Sequence, residues 1–327
     1  MSAPSELADS FHVKWLSAHP FTASAFGIGG YEDRVPDASE AGDESWRSIV
    51  DDVLVEARRL EGSEQSDADA ITLGCLIGYA RQELDELDCA ASEFVVTAMP
   101  YMGPAQFFAV AARTVLADAH AAEDYLTRLG LSGAWIDEQV ERLRIGAAKG
   151  RLPVAPLVEQ AISWAEGVLD AAVPDAVAAP QPPSGWDREA AWREQRDTLA
   201  TDVVQPAMHR WVELLRELLP EARTAERAGL VHLPGGDADY ERAIRSHTTL
   251  PLTAEQLHLT GLEEIESLER RAVELGAVLG LSDLAAVHAA LRASAGVTSP
   301  EVAMEAARQG DPSCRATSGG DPPEPLP

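Results

Sequence analysis

The sequence predicts an all-α protein, an irregular multi-helix array, on the strength of two observations. Alanine, the residue with the highest helix propensity, supplies much of the 46% of residues that are apolar, whereas only 6% are aromatic. Apolar residues also recur in steps of three and four along most of the chain, and glycine or proline separates these periodic segments.

The first third is predicted to contain three helices and one long loop. Ser5 is a preferred N-cap residue type and is expected to begin the first helix. The glycine-containing segment 21–39 is predicted to be a loop. The apolar face of residues 46–60 predicts a second helix, which Gly62 ends, and Ser66 is expected to open a third.

Proline and glycine mark the helices of the middle third. Pro104 is expected at the first turn of a helix, where the missing N–H group costs nothing. Gly130 is predicted to end a later helix and Ser132 to cap the next one. Pro153 and Pro156 introduce a further helix with an apolar face.

Composition predicts two helical subdomains, residues 1–172 and residues 186–309. The segment 173–185 is rich in proline and alanine and is predicted to be a linker or long loop. Pro206 is expected to kink or restart a helix in the second subdomain. The segment 310–327, rich in proline and glycine, is predicted to be disordered.

Four helix starts are predicted in the last third. They lie at Asp237, Thr253, Ser282 and Ser299, each a preferred N-cap residue type. Gln256 follows Thr253 at the spacing of a capping box. We therefore expect a short helix, a long amphipathic helix and two further helices at 282–294 and 299–309.

The charge of the chain excludes two classes of partner. The chain has 54 acidic and 26 basic residues, a formal net charge of −28. Nucleic acid and anionic membrane surfaces both require clustered cations, so we expect neither as a partner. The N-terminus lacks the basic start and apolar run of a signal peptide, and no apolar stretch is long enough to span a membrane. We therefore predict a cytoplasmic protein.

No catalytic motif is present in the sequence. A helical zinc site of a hydrolase needs two histidines four residues apart, because they then reach one ion from one helix face. None of the 8 histidines has such a partner, and none is followed by glutamate. The segment 27–30 is rich in glycine but lacks the following Lys-Ser/Thr of a phosphate-binding loop. We therefore assign no catalytic residue, no metal ligand and no cofactor to this chain.

The densest group of chemically capable side chains lies between His232 and Thr249. It contains Tyr240, His247 and several aspartates and arginines, which are residue types that bind ligands or transfer protons. The alternative is a turn and an amphipathic helix whose polar groups are satisfied by their neighbours. No spacing within the segment requires chemistry, so the residues alone leave both interpretations open.

The same region resembles a known family. Residues 227–240 read RAGLVHLPGGDADY, and residues 244–265 read IRSHTTLPLTAEQLHLTGLEEI. Both segments resemble the bacterial family catalogued as domain of unknown function 885. So do the loop 27–39 and the segment 146–162, which reads GAAKGRLPVAPLVEQAI. The resemblance extends over about residues 5–309.

The resemblance implies a fold and a missing part. Members of the family are typically longer, all-helical proteins related to zinc metallopeptidases of the gluzincin type. The implied fold is the N-terminal helical region of thimet-type, gluzincin-like peptidases. Their zinc site is a His-Glu-x-x-Pro-Gly-His stretch in the C-terminal half, which does not occur here. The resemblance therefore implies a chain cut short before the zinc-binding half, with zinc bound only in full-length relatives.

Three hypotheses about function follow. The first is part of a metallopeptidase-like hydrolase without independent catalysis, in which Tyr240 and His247 face a cleft for a peptide-like substrate. The second is a stand-alone helical interaction protein that self-associates or captures a partner through an exposed apolar face. The third is a metal-free enzyme that acts through the cluster 232–249.

Overall fold

A computed structural model describes residues 2–62 and 66–294 of the chain. Helices follow one another throughout, and the one β-type pairing among the described residues is an isolated bridge between Val154 and Arg223. The all-α prediction is therefore confirmed. The helices in chain order are α1 (Ala3–Ala18), α2 (Pro20–Ala25), α3 (Glu40–Glu61), α4 (Asp67–Cys89), α5 (Gly103–Arg113), α6 (Ala119–Ala148), α7 (Ala155–Leu169), α8 (Asp175–Ala178), α9 (Glu189–Leu199), α10 (Gln205–Leu218), α11 (Gly236–Thr248), α12 (Ala254–Val278) and α13 (Leu284–Ser294).

The chain divides into two compact units, Met1–Ala254 and Glu255–Pro327. The boundary that composition places at 173–185 stays a prediction. The helix predicted at 299–309 and the disordered segment predicted at 310–327 lie outside the described residues. None of the described helices is both long enough and apolar enough to cross a membrane.

Local capping explains where several helices begin. The Ser66 hydroxyl accepts a hydrogen bond from the backbone N–H of Asp69, so the predicted start of α4 is confirmed, as is the end of α3 at Gly62. The prediction for the first helix is wrong by one turn. Ser2 is its N-cap, and the hydroxyl of Ser2 accepts from the backbone N–H of Ser5.

The loop predicted at 21–39 begins later than the sequence indicated. Pro20 starts α2, a short helix that continues to Ala25. Proline suits the first turn of a helix, and Phe21, which follows it, is buried in the core. The chain turns away after the helix at Gly27, whose φ of 71° favours glycine.

Helix α6 is continuous, so the predicted break at Gly130 and the predicted cap at Ser132 are both wrong. The Ser132 hydroxyl donates to the carbonyl of Leu129, 2.7 Å away, within the helix itself. Gly133 lies against Val203, and an added Cβ would be 2.7 Å from the Val203 Cγ1 atom. This second glycine therefore allows close packing rather than ending the helix.

The proline inside the α9–α10 segment acts as predicted. A π-helical turn, Ala200–Val204, interrupts the helix, and α10 restarts at Gln205 with Pro206 in its first turn. A π turn relieves the clash that proline would cause inside a regular helix.

Two apolar clusters form the core of the first unit. The first joins α1, α3 and α4 through residues such as Trp46, Val50 and Leu73. The second surrounds α6, where Tyr125 and Trp135 pack with side chains from α5, α7 and α10. These clusters fix α4 and α6; α4 packs against α11, and the segment that follows α6 also contacts α11 through Arg151.

Candidate functional site

Two glycines determine where α11 begins. Gly235 has a φ of 76°, in the left-handed region that favours glycine. Gly236 approaches Leu230 so closely that an added Cβ would collide with the Leu230 carbonyl oxygen. The N-cap position belongs to Gly235 and not to Asp237, so the predicted cap is wrong. The Pro-Gly-Gly sequence thus allows the first turn of α11 to lie directly against the backbone of the preceding turn.

The structure places Tyr240 and His247 together on one side of α11. Seven residues correspond to about two helical turns, or roughly 10 Å along the helix axis. Tyr240 is 46% exposed and His247 is also exposed. A phenol and an imidazole, each able to donate or accept a hydrogen bond, therefore share one accessible surface.

A buried carboxylate fixes this helix to the rest of the unit. Asp239 is 2% exposed, and its oxygens accept hydrogen bonds from Arg242 Nη1 at 2.9 Å and from Arg151 Nη2 at 3.1 Å. Arg151 Nη2 also donates to the carbonyl of Cys89 at 2.6 Å, and its guanidinium lies 4.6 Å from the centre of the Phe94 ring. The end of α4, the segment after α6 and α11 therefore meet at Asp239.

The charges at this junction act on the Cys89 thiol. Burial is the main reason that the pKa of Cys89 is raised, and the negative charge of Asp239 raises it further. Arg151 and Arg242 act in the opposite direction and are outweighed. The thiol is therefore held in its protonated form, which is a poor nucleophile.

A groove of about 690 Å³ lies between α4 and the C-terminal end of α11. On the α4 side, Gly74 and Gly78 are one turn apart, and an added Cβ at either position meets open space. Arg245 on α11 donates to Asp85 on α4 at 2.8 Å and joins the two sides of the groove. Leu250, more than half exposed, stands at its edge. The lining does not include the two predicted site residues.

The remaining side chains of the cluster 232–249 point in several directions. Arg242 is bound to Asp239, whereas Arg245 pairs with a different helix. Thr248 donates its hydroxyl proton to the carbonyl of Ile244, 2.6 Å away. The cluster therefore divides into a buried anchor, a groove wall and the exposed Tyr240 and His247 surface.

The sequence did not indicate Arg151, one of the two arginines that bind the buried Asp239 carboxylate. Arg151 lies in the family-like segment 146–162, but its partner Asp239 is 88 positions away. A hydrogen bond across that separation leaves no local pattern.

Comparison with known proteins gives a family and a fold. The sequence profile of a family described as "Bacterial protein of unknown function (DUF885)" matches residues 20–311 of the chain. None of the curated proteins matches the chain.

Four solved protein chains match the structure. One is a crystal structure of a "putative lipoprotein" from Colwellia psychrerythraea, with a TM-score of 0.72 and 20% sequence identity. The match covers 89% of this chain and 54% of that one, so the chain spans about half the length of this solved protein. At this identity the likeness shows a shared fold.

Proposed function

The chain belongs to the bacterial DUF885 family, and we propose that it is the substrate-binding helical part of a metallopeptidase-like hydrolase, without catalysis of its own. The observation that carries the proposal is the accessible surface of Tyr240 and His247 on a helix anchored by buried Asp239. The metallopeptidase relation itself rests on the family resemblance of residues 227–265.

The chemistry of this surface suits a peptide-like ligand. A peptide offers N–H donors and carbonyl acceptors at short intervals, and tyrosine and histidine can pair with either kind. Their rings also provide apolar area at low cost in side-chain entropy. Because Asp239 anchors the helix, the backbone that carries the two side chains needs little reorganisation on binding.

The described residues do not fit the zinc ion that the family resemblance implies. Within 2–62 and 66–294, no group of three or more His, Cys, Asp or Glu side chains is placed to hold a metal ion. We propose that longer relatives carry a zinc site in a part of their chains that this chain does not match. A cytoplasmic location stays a prediction.

Peptide affinity of the purified chain tests the proposal. Fluorescence anisotropy with a mixed set of labelled peptides gives the dissociation constant. The double variant Tyr240→Ala/His247→Ala is expected to weaken binding by about tenfold or more, since an aromatic contact at an interface is often worth over 1 kcal/mol. The control variant Tyr101→Ala/His120→Ala removes the same side chains from exposed positions elsewhere and should change affinity by less than about twofold.

Two results contradict the proposal. Equal affinity of the Tyr240/His247 variant and the wild type would show that this surface does not bind the peptide. Equal weakening by both double variants would show that the peptide binds exposed tyrosine and histidine side chains in general and not this surface of α11.

A second candidate function is a helical interaction protein, favoured by the exposed apolar face of α12. Ile265, Leu268 and Leu275 are 55%, 62% and 61% exposed, and their spacing of three and seven puts them on one side of the helix. In the same unit, α13 contacts α12 through Val287 at Gly276. Large exposed apolar areas on soluble proteins mark binding surfaces or cause association.

Self-association of the chain tests this second candidate. The variant Leu268→Glu is expected to lower both the fluorescence of a bound hydrophobic dye and the mass measured by light scattering. Val115→Glu, at an 81% exposed position of the first unit, is the control and should change neither. A wild-type chain that is monodisperse, monomeric and dye-negative excludes this candidate.

A further inference from the structure

A cavity of about 630 Å³ lies beside α1, α3 and α4, away from the surface of Tyr240 and His247. Its lining includes His19 from the end of α1, Trp46 from α3 and Glu83 from α4. The volume is within the range of small-molecule sites, roughly 300–1,000 Å³. None of these residues belongs to the proposed peptide-binding surface.

The carboxylate of Glu83 is the central polar group of this cavity. Its Oε1 accepts a hydrogen bond from Trp15 Nε1 at 2.7 Å, and its Oε2 accepts one from Trp46 Nε1 at 2.8 Å. Only 11% of the side chain is exposed. Two indole N–H groups orient the carboxylate, and both donors are neutral.

No lysine or arginine of the described chain forms an ion pair with Glu83. The one positively chargeable group within 4 Å is His19, whose Nε2 lies 3.8 Å from Oε2, beyond hydrogen-bond distance. The other nitrogen of His19 is already held at the Trp15 carbonyl, 2.9 Å away. A buried carboxylate is costly unless a cation pairs with it, and His19 offers one only when it is protonated and at ion-pair distance without a hydrogen bond, so the site favours a positive ligand.

Aromatic rings form the walls around this charge. The His19 ring stacks on Trp15 at 4.6 Å between centroids and meets Trp46 edge-on at 5.7 Å. Tryptophan has the most favourable ring for a cation, because its face is electron-rich. Trp46 lines the cavity together with Glu83, so a carboxylate and an indole, the two kinds of group that recognise an ammonium ion, lie side by side.

The remaining charges of the cavity lining point the same way. The lining contains Lys14, Arg142 and the further acids Asp37, Asp43 and Glu86. Arg142 is committed to Asp43 at 2.7 Å. With Glu83, the lining holds four carboxylates against Lys14, Arg142 and the titratable His19, so acidic groups outnumber basic ones and the local field attracts cations.

We propose that this cavity binds a primary alkylammonium group, with the nitrogen on the Glu83 carboxylate and the alkyl chain along the Trp46 side of the cavity. The amino terminus of a peptide and the side chain of lysine share this chemistry. The site does not depend on the proposed function, because it uses other helices and residues. Glu83 also links α1, α3 and α4 through its two hydrogen bonds to indole N–H groups. A neutral acceptor could make such hydrogen bonds, so this structural role alone does not account for a carboxylate.

Indole N–H signals in ¹H–¹⁵N NMR spectra test the site directly. The signals of Trp15 and Trp46 are assigned from single Trp→Phe variants, and n-butylammonium chloride is titrated at constant ionic strength. Both signals should shift saturably, and n-butanol at equal concentration should not reproduce the shift. Glycinamide and N-acetyl-lysine amide then show whether an α-ammonium or an ε-ammonium binds more tightly.

Two matched variants separate Glu83 from the general acidity of the cavity. Glu83→Gln keeps the size and one acceptor oxygen but removes the charge, and should weaken ammonium binding by about tenfold or more. Glu86→Gln removes a charge from the exposed part of the lining and should weaken it by less than about twofold. Equal weakening by both variants overturns the proposal. If Glu83→Gln does not fold, the wild type decides: no saturable shift, or the same shift with n-butanol, overturns it.

Discussion

The substitution Asp239→Asn removes one buried charge at the junction that anchors α11 and keeps the shape of the side chain. The Asp239 carboxylate, 2% exposed, binds Arg151 and Arg242. Removing one partner of a buried ion pair costs about 3–5 kcal/mol, because the other charge stays buried. Arg242 is 27% exposed and lies 3.7 Å from Asp88, so water and a second carboxylate offset part of the loss. We expect the free energy of unfolding to fall by about 3 kcal/mol.

Urea denaturation followed by far-UV circular dichroism measures this change, and hydrogen exchange locates it. Amides of α11 should lose protection before those of α6, because the lost contacts all involve α11. Asp237→Asn is the control: Asp237 is exposed in the first turn of the same helix, so its loss should cost less than about 1 kcal/mol. If the two variants agree within about 0.5 kcal/mol, the buried ion pair does not hold the helix.

Two further predictions concern a glycine and a glutamate. Gly236→Ala should lower the melting temperature, because the added Cβ would collide with the rigid backbone carbonyl of Leu230. The control Gly167→Ala, whose Cβ meets open space in a helix, should stabilise the protein by roughly 0.5–1 kcal/mol. Equal losses of stability in the two variants would refute the steric cause. Burial raises the pKa of Glu138, so the folded state favours the protonated form, and this contribution is present below the ordinary pKa and lost as pH rises through the raised value. The melting temperature of Glu138→Gln relative to the wild type should therefore increase from pH 4 to pH 7, and a pH-independent difference would contradict this.

Those parts of the fold that depend on neighbouring residues could be predicted from the sequence. The cap of α4 at Ser66 needs only an N–H group three positions away, and Pro206 acts within its own helical turn. The predicted break in α6 failed because glycine has two uses. Gly130, where the break was predicted, lies inside α6 beside Leu199, 69 positions later in the chain, and no local pattern distinguishes such a glycine from one that ends a helix.

The same limit applies to the candidate sites. Tyr240 and His247 share one helix, so their common side follows from helical periodicity once the helix is predicted. The carboxylate of Glu83 is different, since its partner Trp15 is 68 positions away and comes from another helix. In the sequence, Glu83 stands among several acids of α4, a pattern typical of a solvated helix face, so nothing local indicates that this side chain is buried.

The most direct test of the central proposal measures peptide binding, zinc content and peptide hydrolysis on one sample of the purified chain. The proposal predicts that the sample binds peptide, carries much less than one zinc ion per chain and leaves the peptide intact after prolonged incubation with added zinc. Hydrolysis of the peptide together with one tightly bound zinc ion per chain would contradict it, because the chain would then contain a complete active site.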